Sequence, residues 1–158
     1  MNKSTKIYIA GSLFNAADIA QRIKERQVLE HEFKNIGREV EIYNPIEAPV
    51  NDKSKLPTAE DIYLLDKKYL LEADYVIADI STVDLGVAME LGMYIMNRPD
   101  GMILAHNSDI RIGNSNAYSG HFVPYGQNQF MIGGILNHSK VIFDSFDDTV
   151  NWIIEDVN

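Results

Sequence analysis

The segment Asp74-Tyr-Val-Ile-Ala-Asp79 constrains this chain more than any other. Its middle lacks the in–out alternation of a strand that shows one face to water, and an acid closes each end. A short strand of that kind belongs in the centre of a sheet covered on both faces. Helices must supply the cover, and the neighbouring sequence has them. Thr58 followed by Asp61 is a capping-box-like start for a helix through about Glu72. Beyond the strand, Ser81 to Asp84 is a second cap-like segment, opening a helix that ends near Asn97-Arg98-Pro99.

The rest of the chain repeats the alternation. Lys6 to Ala10 reads as a buried strand broken by Gly11-Ser12. Asn15 can cap a helix to about Asn35, with Ile19, Ile23, Val28, Leu29 and Phe33 mostly on one face and Gly37 as its stop. Glu39 to Tyr43 alternates as a second strand closed by Asn44-Pro45. Ile46 to Pro57, with Pro49, Asn51-Asp52 and Pro57, is a loop. Gly101 to Ala105 is a fourth strand, and His106 to Gln127, aperiodic and rich in Asn, Ser and Gly, is either a long functional loop or locally disordered. Phe130 to Leu136 is helical, Lys140 to Phe143 a fifth strand, and Ser145 caps a last amphipathic helix. The expected fold is α/β: one domain over residues 1–158, a doubly wound five-stranded parallel sheet flanked by helices, flavodoxin- or Rossmann-like. Ligands of such sheets sit at the C-terminal ends of the strands, so the site should be built from the turns after strands one to four.

The net charge of -9 repels a polyanion, so nucleic acid is not an expected partner. Without cysteine there are no disulfides and no thiolate metal sites. His31, His106, His121 and His138 have no ligand spacing and read as surface or loop residues; no metal or other cofactor is expected. No apolar run approaches the ~20 residues that cross a bilayer, and the N-terminus lacks the pattern of a signal peptide. A cytoplasmic protein without membrane contact is expected.

Two acidic features could carry chemistry. Asp84 and Glu90 flank Leu-Gly-Val-Ala-Met at the start of the third helix. Six residues apart they do not share a helical face, yet both could border a pocket above the sheet. A carboxylate between Met89 and Leu91 either faces water or is buried for a purpose, and on general grounds water is the commoner answer. Asp66 lies mid-helix beside Lys67 and Lys68, where its plain reading is a surface ion pair. Asp79, ending the third strand, reads as a turn or capping residue.

A resemblance covering nearly the whole chain changes that weighing. KIYIAGSLF at the start, Asp66 with Ala73-Asp74-Tyr-Val-Ile-Ala-Asp79, then DLGVAMELG and VIFDSFDD resemble, in order and spacing, the nucleoside 2-deoxyribosyltransferase family. The resemblance implies an enzyme that moves a 2-deoxyribosyl group between nucleobases through a covalent deoxyribosyl-glutamate, with slow hydrolysis when no acceptor base is present. It assigns Glu90 as nucleophile, Tyr8 as the tyrosine orienting it, and Asp66 as the carboxyl group serving the leaving or incoming base. It assigns Asp84 to the sugar hydroxyls and Phe14 to the pocket lining, beside the turn Gly11-Ser12. Asn128 resembles a sugar-binding asparagine supplied by a neighbouring subunit. The expected partners are therefore deoxynucleosides, free nucleobases and further copies of the chain, in a homo-oligomer with shared active sites. Glu47 and Pro49 match no base-contacting residue of the family.

A close rival is a 2'-deoxynucleoside 5'-monophosphate N-glycosidase, which needs cations, hydroxyls or free N–H groups around the phosphate. Asp84 would put negative charge near the sugar's hydroxyl end and no arginine follows Gly11-Ser12, so an uncharged nucleoside is favoured, although Ser12 and Ser81 could serve a phosphate. A receiver-type signalling domain shares the alternation but wants an acidic pair after strand one and a lysine after strand five; Gly11-Ser12 and Asp144 stand there.

Overall fold

In the computed structural model, which describes residues 4–49, 54, 56–109 and 127–158, five strands form one parallel sheet. The strands are β1 (Thr5–Ala10), β2 (Val40–Tyr43), β3 (Tyr75–Asp79), β4 (Met102–His106) and β5 (Ile142–Phe143). The helices are α1 (Ala16–Asn35), α2 (Ala59–Glu72), α3 (Leu85–Asn97), α4 (Gln129–Ser139) and α5 (Phe146–Val157), with a 3₁₀ turn at Pro45–Glu47. The order across the sheet is β2-β1-β3-β4-β5. The chain steps outward from β1 to β2, then crosses back over β1 to β3, so the winding reverses between β1 and β3. A crevice opens at that point, at the C-terminal ends of the strands.

Side-chain alternation along the strands divides the core. Ile7, Ile9, Ile77 and Leu104 point to one face and pack with Leu29 and Phe33 of α1 and Phe146, Val150 and Ile153 of α5. Tyr8, Ala10, Val76, Ala78, Ile103 and Ala105 point to the other, with α2, α3 and α4 above them. Both faces of β3 are covered, which is why its middle carries no alternation. Ala10, Ala78 and Ala105 are neighbours in register near the C-terminal edge, and one row earlier stand the larger Tyr8, Val76 and Ile103.

The helix starts follow their capping chemistry. Asn15, Thr58, Asp84, Asn128 and Ser145 each accept backbone N–H bonds at an N-terminus, and Thr58 with Asp61 forms the full reciprocal box. Gly37, at φ 68, turns the chain out of α1.

The structure corrects several sequence boundaries. α4 extends beyond Phe130 to Leu136 at both ends, because Asn128 caps it and Lys140 ends it in the left-handed conformation. Lys140 is thus still part of a helix terminus, and β5 shortens to two residues. The expectation that His106 is a surface or loop residue fails. It ends β4, paired between Asp79 and Phe143, and is 1% exposed. His138 is also half-buried, edge-on to Tyr94. Part of the loop at 46–57 and most of the loop at 106–127, including Asn51-Asp52 and His121, lie outside the described residues. Among the described residues no helix is long and apolar enough to cross a membrane.

Candidate active site

Tyr8 sits two residues before the end of β1, on the face covered by α2, α3 and α4, and is fully buried. A phenol buried there needs a partner for its hydroxyl. It donates to Glu90 Oε1 at 2.7 Å, joining groups 82 residues apart. Burial, then the neighbouring Glu90 and Asp66 charges, hold the Tyr8 hydroxyl protonated well above its ordinary range. Tyr8 therefore acts as a donor. Burial likewise raises the Glu90 carboxyl, to about 7; the Tyr8 bond opposes this, and the charges of Asp66 and Asp84 add to it. Glu90 is thus no solvated helix carboxylate.

Asp66 on α2 is half-buried, and its partner is a tyrosine rather than a lysine. The Tyr43 hydroxyl donates to Asp66 Oδ1 at 2.6 Å. Burial raises the Asp66 carboxyl above the usual range, with the Tyr43 bond working against it. Lys67 and Lys68 instead lie over the rings of Tyr63 and Tyr69, at 5.5 and 5.2 Å. The surface ion pair considered for Asp66 is not what the fold makes.

Asp84 caps α3, its Oδ1 accepting from the Val87 N–H at 3.0 Å. Although Asp84 and Glu90 do not share a helical face, both border a cleft of about 280 Å³ that also has Asp66, Gly11, Phe14 and Pro45 in its wall. A groove of about 130 Å³ between α2 and α3 continues past Asp66 and Glu90. Phe14 stands at the mouth, 81% exposed. Ser12 is half-buried in the adjacent turn, outside the cleft wall. Asn128 is elsewhere: its Oδ1 is engaged by the N–H groups of Phe130 and Met131, and it borders a larger hollow of about 340 Å³ between α3 and α4. That hollow shares Asp84 and Val87 with the cleft but is mainly apolar, whereas the convergent carboxyl groups are in the cleft. The Glu47 carboxylate is taken by Asn44 and Arg26, at 2.8 and 3.4 Å.

Two features were not found from the sequence. Tyr43 is the register partner of Tyr8, their rings 5.4 Å apart, and Tyr69 stacks on its other side at 4.1 Å. Seeing that pairing requires the register of β1 against β2. The second is a buried ionic cluster behind the Gly11 turn. Arg22 Nη2 donates to Glu25 Oε1 and to Asp79 Oδ2, each at 2.7 Å. Asp79 keeps its expected turn role with Oδ1, which accepts from the Ser81 N–H. His106 Nε2 lies 3.7 Å from Glu25 Oε1. Burial raises Glu25 to about 7 and lowers His106 to about 4. Glu25, Asp79 and His106 could bring ligand atoms within 4.8 Å of one another, but the Arg22 guanidinium already supplies the counter-charge between the carboxylates. A signal for the cluster existed: Arg22 and Glu25 lie on one helical stripe with Leu29 and Phe33, at spacings of three, four and four.

Residues 7–128 match the family model for nucleoside 2-deoxyribosyltransferases. An uncharacterised protein of Ureaplasma parvum, UU063, is 29% identical over 163 residues, covering 98% of this chain and 97% of its own. Among solved structures, a conserved protein from Enterococcus faecalis V583 superposes with a TM-score of 0.76 at 25% identity, over 99% of this chain and 100% of that one. A 2-deoxyribosyltransferase from Leishmania mexicana shares the fold with a TM-score of 0.64 at 22% identity, over 96% and 97%.

Proposed function

The chain belongs to the nucleoside 2-deoxyribosyltransferase family, and from that premise we propose that it moves a 2-deoxyribosyl group from one nucleobase to another, with Glu90 as the nucleophile. The observation that carries the reading is the hydrogen bond from Tyr8 to Glu90 in a cleft that also holds Asp66 and Asp84. Breaking a glycosidic bond develops positive charge at the anomeric carbon. A carboxylate beneath that carbon stabilises the charge and then bonds to it, as in retaining glycosidases. Deoxyribose lacks an electron-withdrawing 2-hydroxyl, so that state forms readily. Tyr8 fixes the attacking carboxylate and helps keep it ionised against burial. Asp66 in its acid form gives a proton to the ring nitrogen of the departing base, and as carboxylate takes one from the incoming base. Asp84 accepts from the sugar hydroxyls.

Exposed Val83, Leu85 and Phe130 around the hollow between α3 and α4 support a homo-oligomer that covers this surface and brings neighbouring chains towards each other's sites.

Incubation with thymidine and adenine tests the reading: deoxyadenosine and thymine should appear. Release of base from deoxynucleoside 5'-monophosphates without any exchange would replace it by the N-glycosidase reading.

A further inference from the structure

The strand register puts a second tyrosine beside Tyr8, and a second tyrosine–carboxyl pair beside the first. Tyr8 faces Glu90, and its neighbour across β1 and β2, Tyr43, faces Asp66. The Tyr43 ring stacks on Tyr8 at 5.4 Å and on Tyr69 at 4.1 Å, inclined to them by 24° and 12°, so its hydroxyl has little freedom to leave Asp66. We propose that Tyr43 is the positioning residue of the base-handling step: its hydroxyl occupies Oδ1 of Asp66 and leaves Oδ2 as the oxygen that carries and delivers the proton. This rests on the deoxyribosyl-transfer reading for its chemical meaning, but not for its geometry.

The chemistry follows from donor and acceptor counts. A protonated carboxyl group has one O–H and one carbonyl-like oxygen. Burial, with Asp66 close by, raises the Tyr43 hydroxyl far above its ordinary range, so it stays protonated; it donates to Oδ1, and a donor there keeps the acid proton on Oδ2. As the sugar–base bond breaks, its electron pair leaves with the base and the Glu90 carboxylate bonds to the anomeric carbon. The Oδ2 proton passes to a ring nitrogen and Asp66 becomes a carboxylate. In the second half-reaction a ring nitrogen of the incoming base bonds to the anomeric carbon, the Glu90–sugar bond breaks with its electron pair returning to the carboxylate, and the base gives its proton to Oδ2, closing the cycle without any other reactant. Tyr43 also tempers the acid. Its hydrogen bond favours the carboxylate, opposing a burial that favours the acid form. Asp66 can then both give and recover a proton.

Tyr43→Phe keeps the ring stack and deletes only the hydroxyl. Two measurements separate the positional claim from the functional one. The first is carbon-detected NMR titration of the Asp66 side chain in the free protein. Its midpoint should move to higher pH in the variant, and an unmoved midpoint would overturn the proposal. The second is the pH profile of thymidine–adenine exchange. The variant should lose about tenfold or more in kcat with little change in KM, and its alkaline limb should move upward with the Asp66 midpoint. Identical profiles in the two proteins would also overturn it. If the wild-type protein exchanges no base pair while the NMR midpoint still moves, the transfer reading fails and the Tyr43–Asp66 assignment is supported. Asp66→Asn, which should abolish the titrating signal, verifies that the resonance followed belongs to Asp66.

Discussion

The guanidinium of Arg22 occupies the space that a side chain at Gly11 would need. A Cβ placed on Gly11 would lie 1.5 Å from Arg22 Nη1. The turn after β1, which forms one wall of the cleft, is thus seated on a buried cation that Glu25 and Asp79 hold from behind. Gly11→Ala should therefore destabilise the protein through Arg22 rather than through the turn itself. Displacing Arg22 breaks a buried ionic arrangement, a loss of about 3–5 kcal/mol where no repacking compensates. Urea unfolding checks this by a double-mutant cycle. In an Arg22→Ala background the same glycine substitution should lose most of its effect. Simple additivity of the two losses would show that the contact is not the cause.

A second prediction concerns Tyr8. Removing its hydroxyl takes away a bond that favours ionised Glu90, so burial should push that carboxyl above its value of about 7. On the proposed reading Glu90 must be deprotonated to attack, and the acid limb of kcat/KM should accordingly move to higher pH in Tyr8→Phe. Exchange at neutral pH should fall by a factor corresponding to about 0.5–3 kcal/mol. An unshifted acid limb would separate Tyr8 from Glu90's ionisation.

These residues show unequally in the sequence. The strand–helix alternation was legible because β3 is covered on both faces and because Asn15, Thr58, Asp84 and Ser145 carry recognisable caps. Glu90 and Asp66 were legible only through the resemblance, since taken alone each is most simply a solvated helix carboxylate. Tyr43 was hidden because its role depends on a β1–β2 register that no local pattern encodes. Arg22 and Glu25 were hidden for a different reason. Charged residues on a helix are ordinarily assigned to the solvent face, and here the counter-charge that permits burial comes from Asp79, more than 50 residues on. The loop expectation for His106 failed because the polar segment that follows masked the strand's last residue.

Glu90 should also show a conflict between stability and activity. Its carboxyl is raised from an ordinary 4.5 to about 7 in the folded chain. The stability associated with that shift is fully present below the unfolded value and is lost as pH rises through about 7. Glu90→Gln should therefore abolish exchange and hydrolysis, yet unfold at higher denaturant than the parent at pH 8, by about 0.5–2 kcal/mol, with the difference shrinking towards pH 4.5. Retained exchange in that variant would remove Glu90 from the nucleophile's role. A variant less stable at every pH would mean that the carboxylate is structural.

The cluster of Arg22, Glu25, Asp79 and His106 should make stability depend on pH in two opposing ways. Glu25 is raised from 4.5 to about 7, so its contribution is present below 4.5 and lost as pH rises through 7. His106 is lowered from 6.5 to about 4, so its contribution is present above 6.5 and lost as pH falls through 4. Between pH 4.5 and 6.5 the two slopes oppose each other. His106→Asn deletes one of them. The cavity left by the smaller ring-less side chain lowers stability by a constant amount, so the informative quantity is the pH dependence of the difference between variant and parent. Glu90 and Asp66 titrate in both proteins and drop out of that difference. The parent's advantage should be largest above pH 6.5 and should diminish steadily as pH falls towards 4, read from urea midpoints at unchanged m-value. A difference that stays constant from pH 4 to 7 would mean that the imidazole takes up its proton as readily in the folded chain as in the unfolded one, and that its burial beside Phe146 and Glu25 does not keep it neutral.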